Sequence, residues 1–214
     1  MLVADVMREQ LVTVTPRTTL PEAIRLMIDH RVRHLPVMDA GRLEGIVSDR
    51  DVKRAMASPA TSLAAHELNY LLDALAVEHF MTRAVVTVAP GLPVEDAARL
   101  MLSEQISALP VTEEGRLIGI VTETDVLRLF VRALGAGEPS SRLDVILDDR
   151  PSALAEVIRA VEDAGAVVSS VMTLFKERVK EAVVRVATID PGPAVAALQA
   201  RGFQVRDGYR QAVR

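Results

Sequence analysis

The apolar positions at the start of the chain change period three times within about fifty residues. "LVTVTP" (11–16) is β-branched and ends at proline, so it reads as a short strand. In "TLPEAIRLMIDH" the spacing becomes helical, with Leu20, Ala23, Ile24, Met27 and Ile28 on one stripe. Thr19 and Glu22 have capping-box spacing, and Pro21 sits in the first turn, where its missing N–H costs little. "HLPVMD" and "RLEGIVS" are strands around a turn at Gly41, and Asp49–Ala57 is a second helix. The predicted order is β-α-β-β-α.

The order then repeats. Displaced by 74 positions, residues 5–57 match residues 79–131 without a gap, with 21 identities in 53 positions. "VTV", Pro16 and Pro90, "LPV", "GRL", "GIV" and the pairs Asp51–Val52 and Asp125–Val126 are shared. In the second copy "VVTVAP" is the first strand, and Ala97, Leu100, Met101 and Leu102 carry the helical stripe. "ALPVTE" and "RLIGIVT" flank Gly115, and Glu123–Ala133 closes the unit. One such unit cannot cover both faces of a three-strand sheet, so the two copies are expected to pack together. The apolar run Leu68–Leu75, within residues 61–80, predicts a connecting helix.

A third pattern follows a small, polar linker at Gly135–Ser141. "RLDVILDD" predicts a strand, and "PSALAEVIRAVEDAG" a helix with Leu154, Val157, Ile158 and Val161 on one face and Gly165 as its stop. "AVVSSVMTLF" and "KEAVVRVATID" are strands around a turn at Lys176–Arg178, followed by the helix "PAVAALQARG" and the short strand "FQVRD". The result is β-α-β-β-α-β: a four-strand antiparallel sheet with two helices on one face.

Composition narrows the function classes. Half of the 214 residues are hydrophobic but only 3% are aromatic, so the cores are aliphatic and stacking platforms for single-stranded nucleic acid are hard to build. The net charge of -4, with both signs mixed, argues against a nucleic-acid surface. Without cysteine there is no disulfide, thiolate nucleophile or cysteine metal site. No apolar run is long enough to span a membrane, so a soluble cytoplasmic protein is expected. No H-E-x-x-H, G-x-S-x-G or G-K-[ST] phosphate loop occurs, and Asp148–Asp149 are adjacent rather than facing, so no enzymatic activity and no essential metal are expected.

The repeated chemistry is a hydroxyl with a carboxylate three residues on: Ser48 with Asp51, and Thr122 with Asp125. This spacing caps a helix unaided. It also offers a helix N-terminus to a phosphate and a carboxylate to a ribose. Both readings fit. Arg31, Arg33, His34, Arg50, Lys53 and Arg54 surround the first pair, where the second copy has Gln105, Ser107, Ala108, Thr124, Leu127 and Arg128, so phosphate neutralisation favours the first copy. His34 has no histidine partner at ligand spacing, and His30, His66 and His79 are scattered.

The stretches "HLPVMDAGRLEGIVSDRDV" and "ALPVTEEGRLIGIVTETDV" resemble tandem CBS domains, a Bateman module. The resemblance implies that Asp51 and Asp125 hold ribose and that Ser48 and Thr122 meet phosphate. It implies an adenine slot beside the strand starts, near Val12–Thr15 and Val32–Leu35 in the first copy. Val14, Thr15, Arg33, His34 and Arg50 complete the candidate site there, with Val88 and Ala108 at the matching places of the second copy. The implied regulatory ligand is AMP, ADP or ATP. "LDVILDDRPSALAEVIRAVEDAGAVVSSV" resembles an ACT domain, with Ser152 where that pattern usually has glycine. Arg150, Ser152 and Ala153 are the candidate effector residues. The substitution at Ser152, with Ala166 and Val167 at polar contact positions, favours a structural or dimerising role over amino-acid binding. The order CBS–CBS–ACT resembles the acetoin-utilisation accessory proteins, the AcuB-like group.

The expected fold class is mixed α/β and α+β: two β-α-β-β-α CBS repeats as a pseudo-twofold pair, then a βαββαβ ferredoxin-like ACT domain. The expected boundaries are 1–60 and 61–135 for the two CBS domains, 136–141 for the linker and 142–214 for the ACT-like domain. The expected function is nucleotide sensing in the CBS pair, coupled to the third domain or to an unidentified target protein, in a homodimer. A non-catalytic scaffold with degenerate pockets and an amino-acid-responsive regulator are the alternatives.

Overall fold

The computed structural model describes residues 1–56, 74–135, 139–176 and 179–206. The chain forms two compact units, Met1–Val126 and Leu127–Arg214. The predicted helix Leu68–Leu75 lies almost wholly outside the described residues, as do positions 177 and 178 of the turn at Lys176–Arg178.

The first unit holds both repeats as far as Val126, in the first turn of the last repeat helix. Copy one contains helix α1 (Leu20–Asp29), strands β1 (His34–Asp39) and β2 (Arg42–Ser48), and helix α2 (Asp49–Met56). Copy two contains α3 (Val94–Glu104), β3 (Ala108–Glu113), β4 (Arg116–Thr122) and α4 (Glu123–Ala133). Thr19 Oγ1 accepts a bond from Glu22 N at the start of α1, as the capping-box spacing predicts. Both hairpins turn through two residues with positive φ, Ala40–Gly41 and Glu114–Gly115, which is the backbone twist that closes a two-residue hairpin. Both carry a register shift at the same place, between Val37 and Met38 and between Val111 and Thr112.

The strands expected at 11–16 and 85–90 shrink to one parallel bridge each, Val14 to Val37 and Val88 to Val111. The chain turns immediately afterwards: Thr18 Oγ1 takes the Thr15 N–H at 3.0 Å, and Leu92 N donates to Ala89 O at 3.1 Å. Pro16 and Pro90 have no donor with which to extend a ladder. The helical stripes also narrow. Ile28 and Leu102, which occupy equivalent positions, are 69% and 76% exposed, because each lies one residue past the buried line that ends at Met27 or Met101.

The two copies exchange their leading segments. Val3 is fully buried in the core of copy two, beside Val88, Leu109 and Val121. Val77 is fully buried in the core of copy one, beside Leu20, Leu35 and Val47. The backbone bonds repeat with the sequence: Val3 N donates to Leu92 O, and Val77 N donates to Thr18 O. Farther along each leader, Arg8 pairs with Ile120 of β4, and Thr82 pairs with Ile46 of β2. The boundary expected near residue 60 therefore divides the sequence but not the cores.

The glycine of each "GIV" makes this exchange fit. A Cβ at Gly45 would lie 2.7 Å from Met81 Sδ and 3.0 Å from Thr82 O. A Cβ at Gly119 would lie 2.6 Å from Met7 Sδ and 3.2 Å from Arg8 O. An isolated glycine inside a strand pattern is the sequence sign of such an approach.

The second unit has β5 (Ser141–Leu147), α5 (Ala153–Asp163), β6 (Val168–Lys176), β7 (Val179–Val186), α6 (Gly192–Ala200) and β8 (Gln204–Arg206). The sheet order is β6-β7-β5-β8, with every pair antiparallel. Leu143, Val145 and Leu147 alternate along β5 and join Val157, Val161 and Leu198 of the helices in one core. Strand β5 starts at Ser141, the last residue of the expected linker. Its buried hydroxyl donates to Thr188 O at 2.7 Å.

Gly45→Ala and Gly119→Ala should each destabilise the first unit by roughly 1–3 kcal/mol, the usual cost of forcing a methyl into a filled contact. Gly91→Ala, where nothing lies within 4 Å of the added carbon, is the control. Urea unfolding of the three variants measures the difference.

Candidate functional site

The candidate site opens where the end of β2 delivers the chain into α2. Ser48 Oγ donates to Asp51 Oδ2 at 2.6 Å, Ser48 N donates to the same oxygen at 2.8 Å, and Asp51 N donates back to Ser48 Oγ at 3.3 Å. The capping geometry is thus realised in full. Asp51 Oδ1 lies 3.8 Å from Arg54 Nη1. Copy two repeats the cap: Thr122 Oγ1 donates to Asp125 Oδ2 at 2.6 Å, and Thr122 N does so at 3.1 Å.

A cleft of about 240 Å³ lies against the copy-one cap. His34, Ser48, Arg50, Asp51 and Arg54 form its copy-one wall. The opposite wall comes from copy two: Thr82 and Ala84–Val86 of the leader, and Gln105–Ala108 at the start of β3. Exchange of the leaders is what brings this second wall to Asp51. Of the slot expected beside Val12–Thr15 and Val32–Leu35, only His34 lines this cleft, while Val86, the counterpart of Val12, lines it from copy two.

The remaining candidate residues take other places. Val14 and Val88 are buried in the two cores, holding the parallel bridges, and Thr15 is exposed in its turn with Thr18. Arg33 reaches across the copies, where Nη2 donates to Thr124 Oγ1 at 3.0 Å. Ala108 lines the copy-one cleft, although its sequence position belongs to copy two. Leader residues Thr82, Ala84, Val85 and Val86 and strand-start residues Gln105–Ser107 were not legible as site residues.

His34 Nε2 and Ser107 Oγ lie 2.8 Å apart across the same cleft. Burial pushes the His34 ring below its ordinary 6.5, and the Arg33 guanidinium adds to this, against weaker opposition from Asp49. The ring is thus kept neutral near pH 7, free to share one hydrogen bond with Ser107. Asp49 is held below the ordinary carboxylate value: against the burial that would raise it stand a hydrogen bond and the charge of Lys53.

The two carboxylates differ in their partners. Arg8, from the leader of copy one, donates to Asp125 Oδ1 through Nε at 3.3 Å and Nη2 at 3.2 Å. The Asp125 side chain is 7% exposed. Thr82 holds the equivalent leader position at the Asp51 mouth. The displacement of 74 residues aligns Arg8 with Thr82, but only the leader exchange shows that the difference falls on the two carboxylates.

In the second unit, Arg150 Nε binds Asp148 at 2.9 Å and its Nη1 lies 3.1 Å from Glu156. Ser152 Oγ donates to Glu156 at 2.7 Å, and Ala153 is buried in the core. These three candidate effector residues are committed to local contacts. Among the described residues, no group of three or more acidic or histidine side chains could hold a metal ion, and no helix is long and apolar enough to cross a membrane.

Two hairpins, each ending in a hydroxyl–carboxylate cap and closed by the other's leader, define a paired α/β module. The family model for the CBS domain matches residues 3–58 and 77–132, more than half of the chain, and the protein belongs to the CBS domain family. The CBS domain pair of protein MJ0100, solved with 5′-methylthioadenosine and S-adenosyl-L-methionine, is 31% identical with a TM-score of 0.53, over 64% of this chain and 98% of that one. A putative acetoin utilization protein (AcuB) from Vibrio cholerae is 30% identical with a TM-score of 0.54, over 64% and 95%. CBSX2, solved in complex with AMP, is 32% identical with a TM-score of 0.51, over 61% and 97%. Among curated relatives, the homoserine O-acetyltransferase of Methanohalobium evestigatum is 35% identical over 130 residues, which is 60% of this chain but only 24% of that protein.

The titration of His34 gives a test with a definite sign. Its folded-state value lies below 6.5, so the unfolded chain takes the proton first as pH falls. Stability should decline from about pH 6.5 downward, and His34→Gln should flatten the part of the decline above pH 5. Urea unfolding at pH 5 to 8 checks this.

Proposed function

We propose that this protein is a non-catalytic regulator that senses an adenine nucleotide (AMP, ADP or ATP) in the cleft beside Ser48 and Asp51. The observation that carries the reading is the meeting, in one cleft, of the Ser48–Asp51 cap with Arg50, Arg54 and an apolar wall from the other copy. In this reading Asp51 Oδ1 accepts the ribose hydroxyls. The Ser48 hydroxyl and the first turn of α2 face phosphate. Ala84–Val86, Ile106 and Ala108 offer the adenine ring an apolar surface. The AMP complex of CBSX2 and the S-adenosyl complex of the MJ0100 pair support an adenosine-type ligand.

The charges choose among such ligands. Two guanidinium groups beside the cleft attract phosphate and oppose a sulfonium cation. The proposed ligand is therefore phosphorylated rather than S-adenosyl.

The second unit is proposed to be an ACT-like domain. Its β-α-β-β-α-β order and its sheet order support that assignment. The commitment of Arg150 and Ser152 to Glu156 favours a structural or dimerising role for it over amino-acid binding. Nucleotide binding is proposed to be relayed to this domain, or to a target protein, within a homodimer.

AMP, ADP or ATP at a hundredfold excess over Kd should stabilise the protein by about 2.7 kcal/mol and raise its melting temperature. S-adenosylmethionine should raise it less. Asp51→Ala should remove the rise, while Asp125→Ala should retain it. A melting curve that no adenosine-type ligand moves would leave the scaffold reading in possession.

A further inference from the structure

We infer that Arg8 is a built-in counter-ion that closes the copy-two mouth, so that the module takes one nucleotide where its repeat offers two carboxylates. The inference rests on the reading that the copy-one mouth holds a nucleotide, and it adds the stoichiometry and the residue that sets it.

The two mouths share their cap atom for atom. In each, the hydroxyl and the backbone N–H of the strand's last residue bind Oδ2 of the aspartate. Oδ1 is then the oxygen available to an incoming ribose. At Asp125 that oxygen already accepts two bonds from the Arg8 guanidinium. At Asp51 the Arg54 guanidinium stands off at 3.8 Å and comes from the same helix, with a side chain 82% exposed. A ligand can push such a side chain aside. Arg8 is anchored better. Its N–H and C=O are both paired with Ile120, so the guanidinium stem starts from a fixed point on β4.

The decisive difference is one residue at the leader position that crosses each mouth: Arg8 over Asp125, Thr82 over Asp51. Threonine is too short to span to the carboxylate as arginine does. A charge-assisted pair to an aspartate whose side chain is 7% exposed must be broken before a sugar hydroxyl can replace it. Arg8 therefore sets which mouth opens, and it does so without touching the copy-one cleft.

Isothermal titration of the full chain with AMP tests this through stoichiometry. The wild type should bind one AMP per chain. Arg8→Thr, which copies the residue of the open mouth, should bind two, and adding Asp125→Ala should return the count to one. The converse change, Thr82→Arg, should lower the wild-type count to zero. Arg8→Gln serves in place of Arg8→Thr if that variant fails to fold by circular dichroism. One AMP in both the wild type and the folded Arg8 variant, or two in the wild type, would overturn the role of Arg8 and leave the proposed function standing. None in the wild type but one in Arg8→Thr would overturn the copy-one site and uphold Arg8 as the closure. None in either would overturn both.

Discussion

The close passage of each leader across the other copy's hairpin is the contact on which the first unit depends. Val3 and Val77 are fully buried, each in the core of the repeat to which it does not belong in sequence. Neither copy is complete without its partner's leader. The constraint runs through two glycines: a Cβ would press on the Met81 side chain and Thr82 O at Gly45, and on the Met7 side chain and Arg8 O at Gly119. It also builds the cleft. Asp51 belongs to copy one, yet the apolar wall facing it comes from residues 84–86 and 105–108. The cleft is thus a product of pairing, and its lining depends on what the leader of copy two carries.

Within this frame the two repeats have parted chemically while keeping their backbone. The hairpin registers, the paired positive-φ turns and the caps are the same in both. Several divergent positions lie around the mouths: Arg8 against Thr82, Arg33 against Ser107, His34 against Ala108, Arg50 against Thr124. Several of these pair with one another across the copies, as His34 with Ser107 and Arg33 with Thr124. A perfectly symmetric pair could not make these contacts. The asymmetry joins the copies through polar bonds and leaves one carboxylate locked to arginine and the other beside a cleft.

Much of the fold was legible from periodicity. The helical stripe from Leu20 to Met27, the Thr19 cap, the Gly41 turn and the β-α-β-β-α-β order after residue 140 need only local rules, and local rules hold there. The first strands were overread, because β-branched residues at 11–16 and 85–90 satisfy a strand pattern while the following turn limits them to one bridge. At the site, Ser48 and Asp51 were legible because their spacing is local. The wall of Thr82 and Ala84–Val86, the crossing of Ala108 into the copy-one cleft and the Arg8–Asp125 pair were not. Each depends on the leader exchange, a contact between residues 36 to 117 positions apart that no local pattern encodes. The glycines of "GIV" were its one visible trace.

The most direct measurement is a crystal structure of the protein grown with AMP. The account predicts adenosine in the cleft beside Asp51, its ribose on that carboxylate and its base against residues 84–86 and 106–108 of the second copy. A nucleotide lying instead against Val12–Thr15, with its ribose held by a carboxylate freed from Arg8, would contradict it.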